Sequence, residues 1–154
     1  MKKIKSFEVD HTKMEKGLYI SRVDENIITY DLRMVKPNTP PYLENAGIHT
    51  FEHLLATYLR NSSFENNTVY VGPMGCRTGF YILLKDVLKG DALNLIKSAL
   101  DFIKNFSGNI PGATEKECGN FREHDLKTAN VYAKDLADVL KNWKLEDLNY
   151  NKNF

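Results

Sequence analysis

The sequence predicts an α+β fold: an antiparallel β-sheet of about four strands with helices packed on one face, a two-layer sandwich. Three observations predict it. Strand-like runs follow one another across short turns, which pairs them locally. Amphipathic stretches of helical period stand between and after those pairs. A length of 154 residues suits one domain, a single catalytic unit over 1–154, that can bury a core without staples.

The elements follow in order. SFEVDH (6–11) alternates and reads as a strand. GLYISRV (17–23) and IITYDLRMV (27–35) flank Asp24, Glu25 and Asn26 and read as a hairpin. KPNTPPYLENAG (36–47) is a loop, because Pro37, Pro40 and Pro41 forbid regular pairing or helix. A helix is expected from about Ala46 to Asn61, with Ile48, Leu55 and Leu59 on its apolar side. NTVYVG (67–72) and TGFYILLKD (78–86) are strands joined through Pro73, Met74, Gly75 and Cys76. A second helix covers about Asp91 to Asn105, where Leu93, Ile96, Leu100 and Ile103 repeat at three and four residues. GNIPGATEKECGN (108–120) is a punctuated loop, and a third helix covers about Asp125 to Trp143. The tail YNKNF (150–154) reads as loose.

Charge and composition exclude several classes. Apolar residues at 42% and charged residues at 27% are those of a soluble globular protein. A net charge of +1 gives no electrostatic case for nucleic acid or for an anionic membrane. No apolar run approaches the roughly 20 residues that span a bilayer, and the first residues are too polar for a secretion signal. A cytoplasmic location is the expectation, and there the two cysteines, Cys76 and Cys118, serve more readily as metal ligands or catalysts than as a disulfide.

The chemistry gathers on HTFEHLLATYL (49–59), a helix otherwise built for burial. Residues four apart on an α-helix sit about 40° apart around the axis and about 6 Å apart along it. His49 and His53 therefore present two imidazoles to one point, as two positions of a tetrahedral metal require. Glu52 lies beside them, where a carboxylate can act as a general base. Histidines on helices are more commonly hydrogen-bonded or solvated and bind nothing, so a third ligand is needed. His11, His124, Cys76, Cys118 and several carboxylates are candidates; Cys118 stands in a turn-rich loop where Gly119 gives the backbone room. In VGPMGCRTGF (71–80), glycines surround Cys76 and permit φ > 0 or close approach, while the adjacent Arg77 favours a thiolate. The plain alternative is a tight turn with an incidental cysteine. A metal, a thiol and a carboxylate together suit proton transfers next to a carbonyl.

HTFEHLLATYLRN (49–61), GPMGCRTGFY (72–81), EKECGN (115–120), SFEVDH (6–11), DLRM (31–34) and HDL (124–126) together resemble the S-ribosylhomocysteine lyase (LuxS) family, in that family's order and over nearly the whole chain. The resemblance implies metal-assisted migration of a carbonyl along the ribose of S-ribosylhomocysteine. β-Elimination then yields homocysteine and 4,5-dihydroxypentane-2,3-dione, the autoinducer-2 precursor of quorum sensing. It implies His49, His53 and Cys118 as ligands of one Fe²⁺ per subunit, which Zn²⁺ or Co²⁺ can replace. It implies Cys76 and Glu52 as the acid/base pair, Ser6, His11 and Arg33 as substrate-binding residues, and Arg33 as a support for the thiolate. It also implies a homodimer with active sites at the interface, reached by the N-terminal SFEVDH of a partner. Arg60 matches a position near the site, but at a helix end it also suits backbone carbonyls. Two rivals stand beside this reading: an inverted-motif (H-x-x-E-H) zinc metallopeptidase, and a metal-binding module without turnover.

Overall fold

The computed structural model describes residues 1–150. Its central sheet has the order β1-β2-β4-β3, every pair antiparallel: β1 (Gly17–Asp24), β2 (Ile27–Arg33), β3 (Thr68–Pro73) and β4 (Gly79–Lys85). Helix α1 (Asn45–Arg60) lies between the second and third strands in the chain, and α2 (Lys89–Asn105) and α3 (Leu126–Leu140) follow the fourth. The α+β expectation of helices packed against an antiparallel sheet holds.

Period-two alternation explains which face is covered. Leu18 pairs with Leu32, Leu32 with Phe80 and Tyr30 with Ile82, so these buried side chains share one face. Onto it α1 lays Phe51, Leu54, Leu55 and Leu59, and the Phe51 and Phe80 rings meet at 5.0 Å. Helix α2 adds Ile96, Ala99, Leu100 and Ile103, and α3 adds Ala129, Ala133, Leu136 and Leu140. Burying α1's apolar face fixes its rotation, and that rotation aims His49 and His53 away from the sheet.

The other face of the sheet carries a buried polar group. Asp31 pairs across strands with Tyr19 and Tyr81, and Arg33 sits two residues along on the same side. The Arg33 guanidinium grips the Asp31 carboxylate with two donors, at 3.1 and 2.6 Å. Tyr150 stacks on Tyr19 and donates its hydroxyl to Asp31 at 2.6 Å. The start of the expected loose tail is therefore tied down at Tyr150; the expectation for 151–154 lies outside the described residues.

Two further expectations are corrected. SFEVDH forms a 3₁₀ turn at Lys5–Phe7 and then further turns instead of a strand. The Asp10 carboxylate accepts from both the amide and the hydroxyl of Thr12, which closes the backbone locally and competes with strand pairing. The third helix stops at Leu140, short of Trp143. Trp143 instead donates its ring N–H to the Leu18 carbonyl and packs edge-on against Tyr19. Among the described residues no helix is long and apolar enough to cross a membrane.

Candidate active site

The two helix histidines and the distant cysteine converge. A ligand atom from each of His49, His53, Cys118 and His124 lies within 4.8 Å of every other. Cys118 Sγ stands 3.3 Å from His49 Nε2. A tetrahedron built from ordinary metal–sulfur and metal–imidazole bonds has an edge of about 3.5 Å between those atoms, so the pair is spaced to share an ion. The His49 and His53 rings meet edge to face at 4.7 Å.

Hydrogen bonds to the main chain set how these rings point. His49 Nδ1 donates to the Glu123 carbonyl at 2.7 Å, and His53 Nδ1 donates to the Pro111 carbonyl at 2.8 Å. With its proton held on Nδ1, each ring leaves the Nε2 lone pair free toward the cluster. The carbonyls come from the loop between α2 and α3. Gly108, at φ +107, and Gly112, at φ +70 beside His53, supply its left-handed turns, whereas Gly119 carries no positive φ. The amide of Cys118 donates to the Thr114 carbonyl at 2.9 Å, which fixes the cysteine's turn. Among the described residues no carboxylate joins the cluster, whereas an inverted-motif peptidase takes a glutamate as its third ligand.

His124 completes the group and was foreseen only as one of several third-ligand candidates. It precedes Asp125, the N-cap of α3, whose carboxylate accepts from the Thr128 amide and hydroxyl. Thr50 Oγ1, on α1, accepts the Asp125 amide at 2.9 Å and lies 2.9 Å from His124 Nδ1. The His124 ring stacks on His49 with centroids 3.9 Å apart and 20° between planes. Its Nε2 is buried without a partner. Burial, then the neighbouring His49 and His53, push its imidazole below the usual histidine range.

The second cysteine occupies a separate cleft. His11, Arg33, Pro37, Asn38, Tyr42, Cys76 and Thr78 line a pocket of about 170 Å³. Cys76 Sγ lies 3.0 Å from the Thr78 hydroxyl, which accepts from Arg33 Nη1 at 2.8 Å. Burial disfavours the Arg33 charge, but Asp31, by charge and by hydrogen bond, outweighs it and holds the guanidinium more basic than usual. Arg77, expected to serve the thiol, turns away: it takes φ +59, donates to the Leu43 carbonyl at 3.4 Å and faces the Tyr42 ring. Of the glycines around Cys76, Gly75 has open space about it, and close approach applies at Gly79. Any side chain at Gly79 would collide with the Leu32 carbonyl of the neighbouring strand, while the positive φ of this turn falls on Arg77.

The remaining candidates are scattered. Glu52 is half-buried on α1, and Arg60, exposed at the helix end, donates to the Val69 carbonyl at 3.4 Å. His11 shares the Cys76 cleft of its own chain, with Nδ1 donating to the Val9 carbonyl at 2.9 Å. Ser6 lies in a different cleft, with Ser21, Thr29, Tyr70 and Tyr81 on the open face of the sheet. The loop lining the Cys76 pocket through Pro37, Asn38 and Tyr42 runs directly into α1, the helix of His49 and His53. Sequence reading missed Thr50, Thr78 and the anchoring role of Asp31; each stands inside or beside a quoted motif, but nothing in residue type marked it.

The family model described as S-ribosylhomocysteinase (LuxS) matches residues 4–147. Curated proteins named S-ribosylhomocysteine lyase are similar over nearly their full length. The protein from Borreliella burgdorferi (strain ZS7) is 48% identical over 97% of this chain and 99% of its own. The one from Finegoldia magna is 45% identical over the same shares. The one from Clostridium acetobutylicum is 43% identical, again over 97% and 99%.

Proposed function

The chain belongs to the S-ribosylhomocysteinase (LuxS) family, and from that premise we propose that it opens and cleaves S-ribosylhomocysteine to homocysteine and 4,5-dihydroxypentane-2,3-dione. It is a carbon–sulfur lyase in this reading, working as a single catalytic domain in the cytoplasm. The observation that carries it is the convergence of His49, His53 and Cys118 on one point, with a thiol pocket on the loop that feeds their helix.

Those three residues would hold a divalent cation, Fe²⁺ with Zn²⁺ or Co²⁺ able to replace it. Thiolate with two imidazoles suits all three metals. When bound, it polarises the sugar's carbonyl oxygen as a Lewis acid. The chain's own groups move the protons. Each carbonyl shift takes a proton from one carbon and returns it to the neighbour. Cys76, as thiolate, and Glu52, as carboxylate, are the two carriers. The Thr78 hydroxyl, already accepting from Arg33, is free to donate its proton to Cys76 Sγ and so steadies the anionic form. In the final β-elimination one carrier takes the proton from the carbon beside the carbonyl, the C–S bond breaks, and a protonated carrier gives its proton to the departing homocysteine thiolate. Arg33, His11 and Ser6 orient the substrate's polar groups.

The active unit is a homodimer with its sites at the interface. The Cys76 cleft is smaller than the roughly 300–1,000 Å³ of ordinary small-molecule sites, which supports completion by a second chain. Ile4 and Tyr70, each more than half exposed, line the cleft on the open sheet face and offer a second chain an apolar contact. Sedimentation of the purified chain as a monomer at working concentration removes this part. The product would feed quorum sensing as the autoinducer-2 precursor.

The test of the activity is release of new thiol from S-ribosylhomocysteine by anaerobically purified protein. Release is expected, and none above a metal-stripped control rejects the assignment. Cys76→Ala and Glu52→Gln should each stop release while retaining metal. His53→Ala and Cys118→Ala should lose the metal itself.

A further inference from the structure

The cluster holds four donors, yet only three can serve one ion. An imidazole binds a metal along the lone pair in its own ring plane. His49 and His124 stack 3.9 Å apart with 20° between their planes. In-plane lone pairs of two rings stacked in this way run side by side and do not converge on one point. The two rings cannot both point a lone pair at it.

What His124 offers instead follows from its partners. Thr50 Oγ1 accepts the Asp125 amide, and its own hydroxyl proton has His124 Nδ1 for an acceptor at 2.9 Å. A neutral ring that accepts at Nδ1 carries its proton on Nε2. That Nε2 is the buried nitrogen without a partner, and a buried donor in that state lacks an acceptor that something else must supply. We propose that His124 is not a metal ligand but a catalytic residue, whose Nε2–H donates to an oxygen of the polyhydroxy carbonyl substrate held beside His49, His53 and Cys118. The inference rests on the metal reading above. It gives the developing negative oxygen of the substrate a fixed donor, an arrangement whose loss costs on the order of 10²-fold in turnover.

Asparagine and glutamine separate the alternatives, because their amide groups approximate the Nδ1 and Nε2 positions of histidine. With Co²⁺-loaded protein, H124N and H124Q should both hold one ion per chain and keep the wild-type visible bands. H124N should lower kcat by roughly 100-fold with a smaller change in KM, and H124Q should recover most of it. NMR of the wild-type Zn²⁺ form should show the Nε2–H tautomer at His124, a readout independent of any variant's folding. Loss of metal or altered bands in both variants, wild-type kcat in H124N, H124Q no better than H124N, or an Nδ1–H tautomer would each overturn the proposal. Failure of the metal reading looks different: the Co²⁺ bands would persist in His53→Ala and Cys118→Ala.

Discussion

Cys76 shows how far adjacency in sequence differs from adjacency in space. Arg77 follows Cys76 directly, but its backbone at φ +59 turns its side chain toward Leu43 and Tyr42. The cation that serves Cys76 comes from β2, relayed by Thr78, and it is held in place by a carboxylate only 1% exposed. Position 78 therefore requires a hydroxyl, and not merely a β-branched shape. Thr78→Val keeps the shape and deletes the relay, so alkylation of Cys76 by iodoacetamide at pH 7 should slow by about tenfold, the worth of one charge-assisted hydrogen bond of about 1.4 kcal/mol. Thr78→Ser should alkylate at close to the wild-type rate. Equal rates in all three proteins would show that the thiol does not depend on this hydroxyl.

At the scale of elements, helix α1 was legible and the loop between α2 and α3 was not. The spacing of His49 and His53 and the apolar residues around them declare both the helix and the side that carries the two imidazoles, since the 3.6-residue period fixes faces. The loop has no period. Its shape follows from where its carbonyls go, and two of them, from Pro111 and Glu123, go to the α1 histidines. Only the helix in place reveals that requirement, and the same holds for Thr50, which reaches the start of α3. The N-terminal SFEVDH failed for a related reason: alternation alone suggests a strand, but the Asp10–Thr12 turn satisfies its backbone locally. Gly112→Ala tests the loop's dependence on its backbone. A side chain at φ +70 costs about 1 kcal/mol, and relief of that strain should move the adjoining Pro111 carbonyl away from His53. Outer contacts of this kind are worth roughly 10- to 100-fold in metal affinity. Competition against a chelator should register that loss, and unchanged affinity would mean that the Pro111 carbonyl does not orient His53.

The whole molecule sets two groups of residues on its two layers: α1 and the segment from Cys118 to His124 bring the histidines and Cys118 together, and the β3–β4 turn carries Cys76 beside Arg33 of β2. The packing that makes this possible also sets an alkaline limit on stability. Burial pushes the hydroxyls of Tyr19 and Tyr30 up to about 12 from an ordinary 10.0, with nearby Asp31 adding to the shift at Tyr19. Above pH 10 the unfolded chain releases these protons while the folded chain keeps them. Stability is intact below that pH and falls as pH rises toward 12, by about 1.4 kcal/mol per unit for each tyrosine. Thermal melts from pH 9 to 12 should show Tm dropping only above pH 10, and a flat profile would contradict the burial of these rings. X-ray absorption of the Zn²⁺-loaded protein reads the cluster's donor set most directly. One sulfur at about 2.3 Å and two imidazoles at about 2.0 Å, with a non-protein oxygen completing the shell, is the predicted result. No sulfur, or a third imidazole closing the site, would contradict it.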